Sequence, residues 1–213
     1  MSAASDSQDT KRDSAGRGKK PLLRALAGLL TGLLVALFVV TFVVTTVGIS
    51  GRSMVPTLQP GERALVPKYE TWLHRLGIGS FGRGDIVYFR PPPNPYTPTR
   101  TVPLLGVEYR PFYIKRIVGL GGESVAFRNG RVYGGELLAE PYTAPVTTLS
   151  IEPVTVPPDH VYVLGDNRMP LGSVDSRRFG PVPRERIAGR AALVVWPLFT
   201  REKGRWRWNV RAL

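Results

Sequence analysis

From Ala25 to Val47 the chain reads ALAGLLTGLLVALFVVTFVVTTV, 23 residues without a charge. As a helix rising 1.5 Å per residue, this run would span roughly 34 Å, enough to cross the hydrocarbon core of a bilayer. A helix buried in a soluble core would carry a polar stripe, and only Thr31, Thr41, Thr45 and Thr46 interrupt this one. A cleavable signal peptide has a shorter apolar region, roughly 7–15 residues, closed by a small-residue A-x-A-like end that is missing here. The reading is a single transmembrane helix over 25–47. Residues 1–24 before it are rich in Ser, Ala and Gly and carry Lys11, Arg12, Arg17, Lys19, Lys20 and Arg24 against Asp6, Asp9 and Asp13. That composition reads as a disordered basic tail. Only Arg52 and Arg63 follow the run closely, so the positive-inside rule places the tail in the cytoplasm and residues 48–213 outside it.

This topology decides what the charge means. The chain has 29 Lys and Arg against 16 Asp and Glu, a net charge of +13. Such a balance fits nucleic acid, an anionic membrane surface or an acidic partner. An extracytoplasmic body argues against nucleic acid and favours phospholipid. Trp72, Leu73 and Leu76, together with Trp206 and Trp208 among Arg201, Arg205, Arg207 and Arg211, have the composition of a membrane-interface belt. Cysteine is absent, which removes disulfides, thiolate catalysis and Cys-based metal sites. Only His74 and His160 could serve as imidazole bases.

Residues 48–213 read as one mainly β domain. GDIVYFR (84–90), YIKRIVGL (113–120), HVYVLG (160–165) and AALVVWPL (191–198) are short β-branched or aromatic runs bounded by Gly and Pro. SVAFRNGRVYG reads as a hairpin turning at Asn129–Gly130 in type I′ geometry. TWLHRLG (71–77) is the best short helix candidate, and 90–103 and 139–158 read as loops.

Three constellations could carry chemistry. The first is Gly51-Arg52-Ser53-Met54-Val55-Pro56-Thr57-Leu58. A serine in a Gly/Pro-punctuated turn is ordinarily a turn residue, and this is not the G-x-S-x-G elbow, because Val55 stands where the second Gly belongs. A nucleophilic serine needs a base. Adjacent Asp159 and His160 are poor triad material, since triad members come from separate segments, and His74 sits in a Trp/Leu-rich stretch. The alternative is lysine, of which the body has three, Lys68, Lys115 and Lys203, against twenty arginines. Arg cannot give up its proton and Lys can. Period two puts Tyr113, Lys115 and Ile117 on one face of a strand, where desolvation would favour the neutral amine. A snorkelling edge-strand lysine has the same spacing. The third constellation, VLGDNRMPLGSVDSRRFGPVP (163–183), pairs Asp166 with Arg168 and Asp175 with Arg177 two residues apart, which a salt-bridged loop would also do.

Taken in order, the anchor, G-R-S-M-V-P-T-L, R-G-D-I-V-Y-F, Y-I-K-R-I-V-G-L-G-G-E and G-D-N-R…S-V-D-S-R-R-F-G-P-V resemble the bacterial type I signal peptidases over nearly all of 25–198. The resemblance implies a β domain of coiled antiparallel sheets on the outer face of the plasma membrane, variable around 121–158. It implies a serine endopeptidase that releases exported preproteins from their signal peptides after small residues, typically A-x-A, acting as a monomer without cofactor or metal. By resemblance Ser53 is the nucleophile and Lys115 its general base. Ser173 orients the lysine, Asp166 braces Arg116, and Asp175 and Arg177 form a structural ion pair. Ile49, Met54, Leu58, Tyr113 and Ile114 would line the substrate pocket, and the Ser53 N–H and the Gly51 region would form the oxyanion hole. Many members have a serine at the position of Gly51. The segment Met169–Gly172 lengthens the usual spacing, and 69–82 and 91–111 look like insertions. Alternatives from the residues alone are a non-enzymatic anchored β domain that binds partners, or a Ser/Lys peptidase for another membrane substrate.

Overall fold

The structure is a computed structural model that describes residues 19–76, 78–143, 150–202 and 204–213. Most of the expected tail, residues 1–18, lies outside them. The chain divides into two units, Met1–Val43 and Val44–Leu213.

In the first unit an α-helix runs Lys19–Phe38 and continues as a π-helical turn, Val39–Val43. Pro21 falls in the first turn, where its missing N–H leaves no helical hydrogen bond unmade. Leu22, Leu26, Leu29, Leu33 and Phe38 are all exposed. Pro21–Val43 is the one helix among the described residues long and apolar enough to cross a membrane. The helix ends before the uncharged run does. Val44–Gly48 is a β-strand paired antiparallel with Arg63–Pro67, so the expected span of 25–47 is corrected at its C-terminal end and the body begins at Val44. Four consecutive residues, Val44 to Val47, are β-branched and suit an extended backbone once a partner strand is present.

The second unit is mainly β and antiparallel. Its central sheet has five strands in the order Val182–Pro183, His160–Leu164, Tyr113–Leu120, Ile86–Phe89, Ile187–Arg190. A second sheet orders Val44–Gly48, Arg63–Pro67, Leu193–Trp196 and Arg211–Ala212. A third orders Ile151–Thr155, Ser124–Arg128, Arg131–Gly134 and Glu136–Leu137. Two free hairpins pair Arg100–Thr101 with Glu108–Tyr109 and Phe199–Glu202 with Arg205–Trp208. Both stretches read as loops are therefore part strand: Arg100–Thr101 lies within 90–103 and Ile151–Thr155 within 139–158, whose residues 144–149 are outside the described set. The Asn129–Gly130 turn has φ of 49° and 72°, the double left-handed geometry of type I′. The short helix falls at Lys68–Arg75.

Tyr113–Leu120 lies between two partner strands and is buried on both faces through its middle. Its neighbours are in register, with Lys115 opposite Val87 and Arg116 opposite both Ile86 and Leu164. Two charged side chains thus enter the interior from successive residues of one strand, on opposite faces. The core beneath gathers Val87, Phe89, Ile117, Val161, Val163 and Ile187 on one side and Ile49, Met54, Leu58, Val66, Ile86 and Val194 on another. At roughly 1.5–3 kcal/mol for each fully buried aliphatic side chain, these clusters can support buried charge nearby.

Candidate active site

Ser53 opens a turn that its neighbours pin from below. Met54 and Leu58 are fully buried, one helical turn apart, and the Leu58 N–H donates to the Met54 carbonyl at 2.9 Å. The Val55 N–H donates to the Arg52 carbonyl at 3.2 Å. With both apolar anchors facing the core, Ser53 is left at the surface of a cleft of ≈410 Å³. Asn167 holds the turn from the other side: its N–H donates to the Ser53 carbonyl at 3.0 Å and its Nδ2 to the Arg52 carbonyl at 3.2 Å. Among the described residues no backbone hydrogen bond engages the Ser53 N–H.

Lys115 arrives from the central strand. Its Nζ lies 2.7 Å from Ser53 Oγ and donates to the Ile114 carbonyl at 3.0 Å. The side chain is 4% exposed, with Nζ 5.5 Å from the centre of the Tyr113 ring. Burial pushes its pKa down to about 8; Asp175 and Asp166 oppose the fall and Arg177 adds to it. A free lysine is neutral about once in 2,500 molecules at pH 7; this one would be neutral about once in ten.

The loop after His160–Leu164 supplies the frame. Arg116 donates to both oxygens of fully buried Asp166, at 2.9 and 2.7 Å, and Thr57 Oγ1 donates to the same carboxylate at 2.6 Å. Arg177 makes a bidentate pair with Asp175, at 2.8 and 2.7 Å, while Asp175 caps the helix Ser176–Phe179 and accepts the Gly165 N–H at 3.0 Å. Gly165 must be glycine: a Cβ there would lie 2.3 Å from the Ser53 carbonyl oxygen and 2.4 Å from Ser173 Oγ.

The expected residues do not all fall where the pattern put them. Ile49, Tyr113 and Ile114 line the cleft with Gly51. Met54 and Leu58 lie in the core beneath it, with no exposed surface, so they correct the expected pocket lining. Ser173 lines the cleft and is buried, yet among the described residues its Oγ has no hydrogen-bond partner, and Lys115 Nζ is bonded elsewhere. His74 and His160 line a different cavity, ≈570 Å³, together with Ser80 and Asp159. That cavity is the larger, but no hydrogen bond links its serine, histidine and carboxylate groups among the described residues, so it holds no activated nucleophile. His74 packs on Phe81 at 4.0 Å and His160 Nδ1 lies 2.8 Å from the Pro158 carbonyl.

Two residues escaped the sequence reading. Glu140 forms an ion pair with Arg168, both nearly inaccessible, and Arg168 Nε donates to the Gly165 carbonyl at 3.0 Å. Tyr142 lies under the Arg116 guanidinium at 3.8 Å and donates to Glu140 at 3.1 Å; burial, then the Glu140 charge, pushes its phenol up to about 12. Both lie in a Pro-flanked stretch whose local pattern carries no sign of partners so far along the chain.

The profile of the signal peptidase, peptidase S26 family matches residues 22–196. The chain is 39% identical over 151 residues to the Synechocystis protein named "Probable signal peptidase I-2", covering 70% of this chain and 62% of that one. It is 33% identical over 150 residues to the chloroplastic thylakoidal processing peptidase 1 of Arabidopsis thaliana, covering 70% and 41%. With signal peptidase I of Bacillus caldolyticus the identity is 32% over 164 residues, covering 70% of this chain and 78% of the relative. The matched region thus spans less than two thirds of the first two relatives. The family match runs from the apolar helix through the Ser53 turn, the Lys115 strand and the Asp166–Asp175 loop, and on that extent the chain belongs to the signal peptidase, peptidase S26 family.

Proposed function

We propose that the protein is a membrane-bound serine endopeptidase that removes signal peptides from exported preproteins, with Ser53 as nucleophile and Lys115 as general base. The observation that carries this reading is the 2.7 Å approach of Lys115 Nζ to Ser53 Oγ, with the lysine buried so that desolvation lowers its pKa. The extended stretches at both edges of the cleft, Val47–Gly48 and Tyr113–Ile114, suit a substrate that enters as an added strand. Alternate side chains of such a strand point the same way, so residues one and three before the cut meet the same wall. That wall is Ile49, Tyr113 and Ile114, which favours small residues by excluding larger ones, as in an A-x-A sequence.

Neutral Lys115 takes the proton of Ser53 Oγ as the oxygen attacks the scissile carbonyl carbon. The carbonyl oxygen becomes an oxyanion that the unengaged Ser53 N–H can receive. Lys115 then passes its proton to the leaving amine nitrogen, the C–N bond breaks, and the acyl group stays on Ser53. Water, deprotonated by the same lysine, attacks the ester and restores the hydroxyl. Every proton taken is returned, and no cofactor takes part. The ion pairs of Arg116 with Asp166 and Arg177 with Asp175 fix the loop that carries Asn167, and through it the Ser53 turn. In this proposed mechanism the Ser173 hydroxyl, which lines the same cleft, has the role of taking up a hydrogen bond from Lys115 when the proton moves.

The test is incubation of the purified full-length chain in detergent with a preprotein bearing an A-x-A end, followed by sequencing of the new N-terminus. The expected cut falls directly after the second alanine and is absent with Ser53→Ala. An uncut precursor, or a cut that persists in Ser53→Ala, would overturn the reading.

A further inference from the structure

The cleft around Ser53 has a wall that the catalytic groups do not need. Pro98, Arg100, Pro111 and Phe112 line it from the stretch 91–112. This stretch is held in place by contacts of its own. Thr97 is buried and its Oγ1 donates to the carbonyls of Pro92 and Asn94, at 2.7 and 3.1 Å, while Arg110 Nε donates to the Thr97 carbonyl at 3.2 Å. Arg100 pairs with Tyr109 in a short hairpin, and Phe112 stacks on Tyr88 at 4.5 Å with Arg90 over its ring. The stretch is folded against the sheet, and it delivers Arg100 to the mouth of the cleft.

The charge there is one-sided. Arg52, Arg100 and Lys115 line the cleft, and no Asp or Glu does. Arg52 and Arg100 engage in no side-chain ion pair or hydrogen bond among the described residues, whereas six other arginines of this body form ion pairs. The Arg100 charge reaches the Tyr113 phenol, opposing the rise that burial imposes on it, which sets the guanidinium on the Tyr113 side of the cleft. Two exposed, unpaired guanidiniums lining one cleft attract carboxylates by long-range field and by bidentate hydrogen bonding.

We propose that Arg100, with Arg52, is a specificity determinant that selects substrates carrying an Asp or Glu side chain within a few residues of the scissile bond. The inference rests on the peptidase reading above and refines its substrate class. The small residues before the cut would be set by the apolar wall, and the acidic preference by this second, basic one.

The test uses the full-length protein in detergent and one precursor peptide, varied singly to Asp, Asn or Lys at each position from five before the cut to five after it. At one position or two neighbouring ones, Asp is expected to exceed Asn in kcat/KM by about fivefold at low salt, with Lys below both. The Asp/Asn ratio is expected to fall toward one in Arg100→Gln, to be partly retained in Arg100→Lys, and to shrink as ionic strength rises. Ratios near one at every position, or a ratio that survives in the Arg100→Gln, Arg52→Gln double variant, would overturn this inference alone, since cleavage of the Asn series would still support the peptidase. Failure to cut any member would bring down the peptidase reading and this inference with it.

Discussion

Burying Lys115 gives it a reactive form and a stability penalty together. Its pKa falls to about 8 in the folded chain against about 10.4 in the unfolded one. Below pH 8 both states hold the proton and the folded state bears the full penalty of a desolvated ammonium. Between about 8 and 10.4 the unfolded state binds more protons, so stability rises with pH and the penalty disappears. Lys115→Met should therefore abolish turnover yet raise unfolding free energy at pH 7 by up to about 3 kcal/mol, a gain that shrinks as pH passes from 8 to 10. Denaturant titrations at pH 7 and pH 10 check this; a variant less stable than the parent at pH 7 would contradict it. Gly51 offers a second case. A Cβ there meets nothing within 4 Å, and Gly51 lines the cleft. Gly51→Ser should fold normally and keep or increase kcat, because a hydroxyl could join the Ser53 N–H as an oxyanion donor. Gly51→Val should keep the parent's Tm and lose turnover, because its methyl groups project into the substrate's path. Full activity in Gly51→Val would place the position away from the substrate. Ser53 and Lys115, the proposed dyad, stand out in the sequence only through four ordered motifs, since spacing alone leaves Ser53 a turn residue and Lys115 an edge lysine. Glu140 and Tyr142 were not legible, because their partners, Arg168 and Arg116, lie at separations no local period encodes.

Among the elements, the hairpin Phe199–Glu202 with Arg205–Trp208 stands apart from the three larger sheets. Its register sets Phe199 opposite Trp208 and Arg201 opposite Trp206, so one face carries three aromatic rings and an arginine. Trp206 is 72% exposed and Trp208 61%, an arrangement that suits headgroup depth more than water. Arg211, expected in the same belt, is instead tied to Glu62 and the Thr57 carbonyl, each at 2.8 Å, and serves the body. In vesicles of mixed anionic lipid, brominated acyl chains should quench much of the full-length protein's tryptophan emission. Most of that quenching should vanish in the Trp206→Ser, Trp208→Ser double variant. Equal quenching in parent and variant would remove the hairpin from the interface. Strands with strong β-branched runs, such as Tyr113–Leu120, were readable to the residue, because both faces are buried and the whole run is apolar apart from its two charges. The strand Val44–Gly48 was hidden for a physical reason: its residues are as apolar as the helix before them, and only the partner Arg63–Pro67 decides between helix and strand. Ile151–Thr155 was hidden likewise, as Pro153 sits within a strand at the edge of its sheet, where a missing N–H is tolerated.

For the whole molecule, we propose from the charge asymmetry about one apolar helix that the N-terminal tail faces the cytoplasm and the β unit the outside. Protease added to intact spheroplasts should cut the β unit and spare a tag on the tail; a degraded tag beside an intact body would reverse the topology. In the proposed mechanism the β unit's sheets, its buried ion pairs and its anchored Ser53 turn serve a single event, proton transfer from Ser53 to a neutral Lys115. The two histidines, the usual bases of serine hydrolases, line a separate cavity and should contribute nothing to that titration. The pH dependence of kcat/KM for precursor cleavage by the full-length protein tests this most directly. The ratio should rise about tenfold per pH unit below an apparent pKa near 8 and level above it, with the same curve in the His74→Gln, His160→Gln double variant. A rate that is flat from pH 6 to pH 9, or an inflection that disappears with the histidines, would contradict it.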